Sequence, residues 1–191
     1  MSYAANFLKA HGQICTIERD VPITSRVSIK RTTKSTNNVG NREALWEGLI
    51  LADAGLQSGE ILTIGADKYL IQSVNHDPAS GEDVFFAAKT NVVLTHKRYV
   101  ETVDENGNIV QEWQTLHSNV YSYCDVDFYR LLQYDIGLFD PTKYIFQVSK
   151  SLGVAKLDRF VLNDVNYQVA NIDDIVLTGI ARIQLESDTR P

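Results

Sequence analysis

Four histidines, His11, His76, His96 and His117, are the side chains best suited to moving protons near neutral pH. Their spacing pairs none of them with another or with a nucleophile, so each reads as a solvated or capping group beside a loop or strand end. The carboxylates Asp125/Asp127 and Asp173/Asp174 are neighbours in the chain. Strand alternation puts the first two on one face, which reads as a solvated face. Cys15 and Cys124 match no CxxC or Cys/His spacing, so they read as reduced thiols rather than zinc ligands. The run Asp104-Glu105-Asn106-Gly107 has the composition of a calcium loop but lacks its alternating oxygen ligands and closing glutamate. There is no GxSxG, HExxH, Walker A or GxGxxG. These observations read as a chain with no catalytic site, metal or cofactor of its own.

Binding is better provided for. Arg26, Lys30, Arg31 and Lys34 run into a polar stretch from Arg31 to Arg42 that has almost nothing apolar to bury and reads as a contact loop, with Arg31, Lys34, Asn37, Asn38 and Arg42 as its candidate residues. A second basic cluster, His96, Lys97 and Arg98, follows later. Without interleaved aromatics, neither cluster has the stacking platform of a single-strand-binding barrel, so a charged partner surface is the preferred reading. Tyr121, Tyr123, Tyr129, Tyr134 and Tyr144 gather near Trp113. Aromatics favour strands anyway, but Tyr and Trp also give large contact area, so Trp113, Tyr121 and Tyr123 are candidate interface residues.

Strands must position these groups. Tyr3 to Lys9 reads as a short helical turn in an N-terminal arm over 1–12. From Gln13 onward, apolar and polar residues alternate in short runs separated by turn signals. Ser58-Gly59-Glu60 reads as a turn, Ile61–Ile64 as a strand, Gly65-Ala66-Asp67 as a tight connection and Tyr69–Val74 as the returning strand. The clearest hairpin spans Val103 to Val110, where Asn106-Gly107 supplies the positive φ angles a tight turn needs, and it should project as a finger carrying Asp104, Glu105 and Asn106.

The unit at Glu60 returns at Asp158. With Tyr167 placed over Tyr69, Asp158 falls on Glu60, Phe160 on Leu62, Leu162 on Ile64, Val169 on Ile71 and Ile172 on Val74 without a gap. Each copy is followed by one more amphipathic strand, Val84–Ala88 and then Ala181–Glu186. The expected fold is mainly β, two related small β-barrel-like modules with long loops and a projecting hairpin. The expected modules are 13–98 and 99–191, the second including the hairpin 99–113.

The composition agrees with a folded chain: 191 residues, 44% hydrophobic and 22% charged. No stretch approaches the roughly 18 apolar residues that span a bilayer, and no secretory leader pattern is present, so the chain reads as neither secreted nor membrane-inserted. A net charge of −6 argues against wrapping nucleic acid over the whole surface.

The late-module pattern from Leu157 to Ile172 followed by Gly179 to Glu186, with the opening Phe7-Leu8-Lys9 and Gly12 before Thr16-Ile17-Glu18-Arg19, resembles tailed-bacteriophage neck proteins of the head-closure or stopper type. The resemblance implies a virion component assembled in the host cytoplasm, forming a ring of six or twelve copies between portal or adaptor proteins and tail terminator or tail tube proteins. DNA would pass through its channel without specific binding, and no membrane would be involved. Two modules and a finger exceed the single barrel common in stoppers, which leaves a distal tail or baseplate protein as one alternative. An OB-like nucleic-acid-binding module is the alternative from another class.

Overall fold

The computed structural model describes residues 3–32, 44–76, 81–103, 106–124 and 144–190. Helix α1 (Tyr3–His11) precedes two closed, antiparallel, six-stranded barrels. The first comprises β1 (Gln13–Glu18), β2 (Ile23–Arg31), β3 (Leu45–Leu51), β4 (Ile61–Ile64), β5 (Asp67–His76) and β6 (Glu82–Lys89), in the order β1-β2-β3-β6-β5-β4 with β4 closing on β1. The second comprises β7 (Val92–Val103), β8 (Ile109–Cys124), β9 (Tyr144–Ser149), β10 (Arg159–Leu162), β11 (Val165–Asp173) and β12 (Ile180–Ser187), with the same order and closure. Within each barrel wall, closure pairs every strand on both sides and removes the open edges that invite aggregation. No helix among the described residues is long and apolar enough to cross a membrane.

The expected pair of related barrels is therefore present, and the repeat extends to details. Leu62 pairs with Tyr69 and Phe160 with Tyr167. A bulge falls between Ile71 and Ser73 and again between Val169 and Asn171. A single 3-10 turn follows β3 and β9, each ended by a glycine in the left-handed region, Gly55 at φ 58° and Gly153 at φ 59°. Gly81 O accepts from Ala52 N at 3.2 Å, and Gly179 O accepts from Lys150 N at 2.9 Å.

The boundary differs from the expected one. Only Thr90 and Asn91 join the barrels, so a split near Tyr99 would cut β7 in mid-strand. One strand, β7, runs from the barrel wall into the finger, which hides the change of role. The two cores are separate. Ile17, Ile50, Leu62, Ile71 and Phe85 fill the first, and Phe146, Phe160, Val169, Ile183 and Leu185 the second, all fully buried. Each such side chain contributes about 1.5–3 kcal/mol.

Helix α1 lies on the first barrel. Its Ala5 and Leu8, three residues apart on one face, pack against Leu51 and Leu49. The helix ends where Gly12 N donates to Leu8 O at 2.8 Å. A Cβ at Gly12 would lie only 2.6 Å from that carbonyl.

Candidate interaction surface

The barrels differ most at their first hairpin. In the first barrel, β1 and β2 meet the turn directly beyond the Ile17–Ile23 pair. In the second, β7 and β8 stay paired past Arg98–Gln114 as far as Val103–Ile109, making a two-stranded finger beyond the barrel wall. Gly107, at φ 83°, permits its turn as the Asn-Gly signal implied, and Asn106 sits at the tip. Tyr99 (45% exposed), Val103 (69%) and Ile109 (69%) present apolar surface to solvent. Cross-strand bonds stiffen the ribbon: Tyr99 OH donates to Gln111 Oε1 at 3.0 Å, and Gln111 Nε2 to Glu101.

The base of the finger is held on two sides. On one, His96 Nε2 donates to Asp158 Oδ2 at 2.8 Å, while Arg98 donates twice to the same carboxylate at 2.7 Å and once to Gly153 O at 2.8 Å. Ala155 N donates to Asp158 Oδ2 at 2.7 Å. Burial alone would raise the Asp158 pKa, but the bonds from Arg98, His96 and Ala155 outweigh it and hold the carboxyl well below the usual range. His96 is fully buried, stacked on Phe160 at 4.7 Å and beside His117 at 5.6 Å, and its Nδ1 has no hydrogen-bond partner among the described residues.

On the other side, Trp113 is covered by cations. The Arg159 guanidinium stands 3.6 Å from its ring centroid and that of Arg190 5.0 Å, while Tyr99 packs on it at 5.1 Å. Asp188, with its side chain fully enclosed, accepts from Arg159 Nε at 2.7 Å and Arg190 Nε at 2.8 Å. Burial would raise this carboxyl too, but the two arginines bring it down to about 2. The C-terminal segment is thereby tied to the foot of the finger.

The first barrel has the counterpart of the Asp158 cluster. Arg19 is bound to both oxygens of Glu60, at 2.9 Å to Oε2, and donates to Gly55 O at 2.7 Å. The place of His96 is taken by Ile17, as the shared pairing with Phe160 and Leu62 shows. A buried imidazole is thus particular to the second barrel.

Several expected contact residues are placed otherwise. Tyr123 is 3% exposed and belongs to the interior, because its strand turns that face inward. Tyr121 lies under the ammonium of Lys68 from the first barrel, 4.4 Å from its ring centroid, and so serves the contact between barrels. Trp113 is occupied by Arg159 and Arg190 within the chain. Arg31 stands 5.6 Å from the Trp46 ring, an aromatic neighbour for the first basic cluster that linear reading missed. His96 is a buried partner of Asp158 rather than a solvated end group. Lys34, Asn37, Asn38, Arg42, Asp104 and Glu105 lie outside the described residues, as do Asp125 and Asp127. Asp174 pairs with Lys150 at 3.3 Å. Cys15 and Cys124 are not joined in a disulfide. Among the described residues no group of three or more His, Cys, Asp or Glu side chains is placed to hold a metal ion.

Sequence reasoning did not find Asp158, Arg98, Arg159, Asp188 and Arg190 as partners, since Arg98 lies 60 residues from Asp158 and Arg159 lies 29 from Asp188, separations that leave no local signal. The one available cue was the alignment of Asp158 with Glu60.

The barrels touch through backbone as well as through side chains. The turn at Ser58–Gly59 abuts Gly179 so closely that a Cβ at Gly59 would fall 2.0 Å from Gly179 O. Gln72 Nε2 donates to Gln147 Oε1 across the junction at 2.8 Å.

No protein-family model matches the chain, and no curated protein matches it. Among solved structures, MrkH of K. pneumonia aligns over 97% of this chain and 81% of that one, at 8% identity and a TM-score of 0.21. A TM-score of that size carries no argument about fold or function.

Proposed function

We propose that this chain is a ring-forming structural subunit of a tailed-bacteriophage neck, of the head-closure or stopper type. The supporting observation is the finger: a rigidly footed two-stranded ribbon that leaves one of two related barrels with Tyr99, Val103 and Ile109 exposed. Its outer edges are free of further strands over Tyr99–Val103 and Ile109–Trp113 among the described residues, so a neighbouring subunit can pair with or pack upon it. A heterologous contact of this kind, repeated around an axis, closes a ring. The net charge of −6 suits a channel wall along which DNA slides rather than binds.

The test has two readouts. Mass spectrometry of purified phage particles, with immunolabelling, should find the chain at the head–tail junction. Negative-stain images should show rings on portal-bearing heads. A chain missing from particles, and monomeric in the presence of heads and tails, would end this reading.

A further inference from the structure

Three positions show that α1 and the Gly12 that follows it cover on the first barrel the face that the first barrel covers on the second. Gly179, which abuts Ser58–Gly59, corresponds to Gly81, whose nearest outside neighbour is Ala5 of α1 at 4.0 Å from a built Cβ. Gln147, bonded to Gln72, corresponds to Leu49, which packs on Ala5 and Leu8. Tyr121, which takes Lys68, corresponds through the strand registers to Arg26, whose Nη1 donates to Gly12 O at 2.9 Å. Helix and barrel are alternative occupants of one type of face.

The second barrel carries the complementary knob and leaves it unused. Lys156 and Leu157 stand where the first barrel has Ser58 and Gly59, and Ala170 stands where it has Gln72. Leu157 is 59% exposed and has φ 67°, in the left-handed region that favours the glycine found at its counterpart. An exposed apolar side chain kept at a strained backbone position points to a role outside the monomer. Arg190 Nη2 holds the Leu157 carbonyl at 3.0 Å and leaves the side chain free.

The two ends also match in chemistry. Within the chain, polar meets polar, Gln72 on Gln147. Between chains, apolar would meet apolar, with Ala170 facing Leu49 and Leu157 entering the groove that Ala5 and Leu8 now fill. A leucine cannot repeat the backbone approach of Gly59, but its side chain has the shape to replace that of Leu8.

We propose that the face of the first barrel beneath α1 is a docking site for the Leu157 knob of a second copy of this chain, and that α1 is a tethered plug that must leave before copies join head to tail. A helix of nine residues holds its fold only through packing, so its release needs no disruption of either barrel. The inference rests on the chain acting as an assembling subunit and specifies which surfaces meet.

The test is sedimentation velocity across a concentration series on full-length chains. Wild type with α1 docked should remain monomeric, while Leu8→Asp should shift to species of higher mass as concentration rises. Adding Leu157→Gly, which relieves the backbone and removes the knob, should return Leu8→Asp to the monomer. Deletion of residues 1–11 provides a second route to the open face, with circular dichroism checking that both variants stay folded. Monomeric open variants, association that survives Leu157→Gly, or unfolding of both variants would overturn the proposal. Rings formed by wild type with α1 still protected from hydrogen exchange would also overturn it while leaving the neck reading intact.

Discussion

The guanidinium of Arg98 grips the carboxylate of Asp158 through two hydrogen bonds of 2.7 Å, with the buried His96 supplying a third at 2.8 Å. Removing the acceptor leaves a buried imidazole and a guanidinium without their anion. Asp158→Ala should therefore lower stability by about 2–4 kcal/mol, read from the urea midpoint. Glu60→Ala, whose cluster contains no buried histidine, should cost less. Equal losses would show that His96 contributes nothing beyond the arginine pair.

Acid should expose the same clusters. Asp158 and Asp188 have folded pKa values depressed below the ordinary carboxyl value, Asp188 to about 2. Their stabilisation is complete above the unfolded value of about 3.9 and is lost as pH falls through the folded values. Stability measured by urea titration should thus drop between about pH 4 and pH 2, and Asp188→Asn should flatten that drop while lowering stability at pH 7.

Gly48 lies directly opposite Phe85 in the first barrel, and a Cβ there would come within 2.6 Å of the Phe85 ring. The matching pair in the second barrel is Phe146 opposite Ile183, so the aromatic has changed strands while the pair still fills the space. Gly48→Ala should cost about 1–3 kcal/mol by overpacking, and Phe85→Leu in the same chain should recover part of it. Thermal melts of the single and double variants decide the matter.

Burial pushes the Cys15 thiol up to about 11, whereas Cys124 is half-buried. Titration with a thiol reagent at pH 8 should label one cysteine per folded chain quickly and the second only on unfolding. Two fast thiols would show that the first barrel opens at β1.

On the finger, Val103→Lys with Ile109→Lys should leave the melting curve within about 0.5 kcal/mol of wild type, since both side chains face solvent. The same variant should lose ring formation in negative stain if the finger joins neighbouring subunits.

The barrels were legible because strand alternation is local and repeats: the match of Glu60, Leu62 and Tyr69 to Asp158, Phe160 and Tyr167 is the match of one hairpin to another. The module boundary was not, because a single strand, β7, serves both wall and finger and no turn signal marks where one becomes the other. The polar clusters were not, because His96 among Lys97 and Arg98 has the look of surface in one dimension. Its burial is created by Phe160 and Asp158, which the chain reaches only after the rest of the hairpin and β9. Tyr123 was misplaced for a related reason: propensity identifies a strand but not which of its faces the closing barrel turns inward.

Because the finger interrupts one copy of the repeat and not the other, any closed assembly of this chain presents twice as many barrels as fingers. Barrels and fingers share one rotational order, set by the number of chains, and only the finger-bearing barrel of each chain extends beyond the wall.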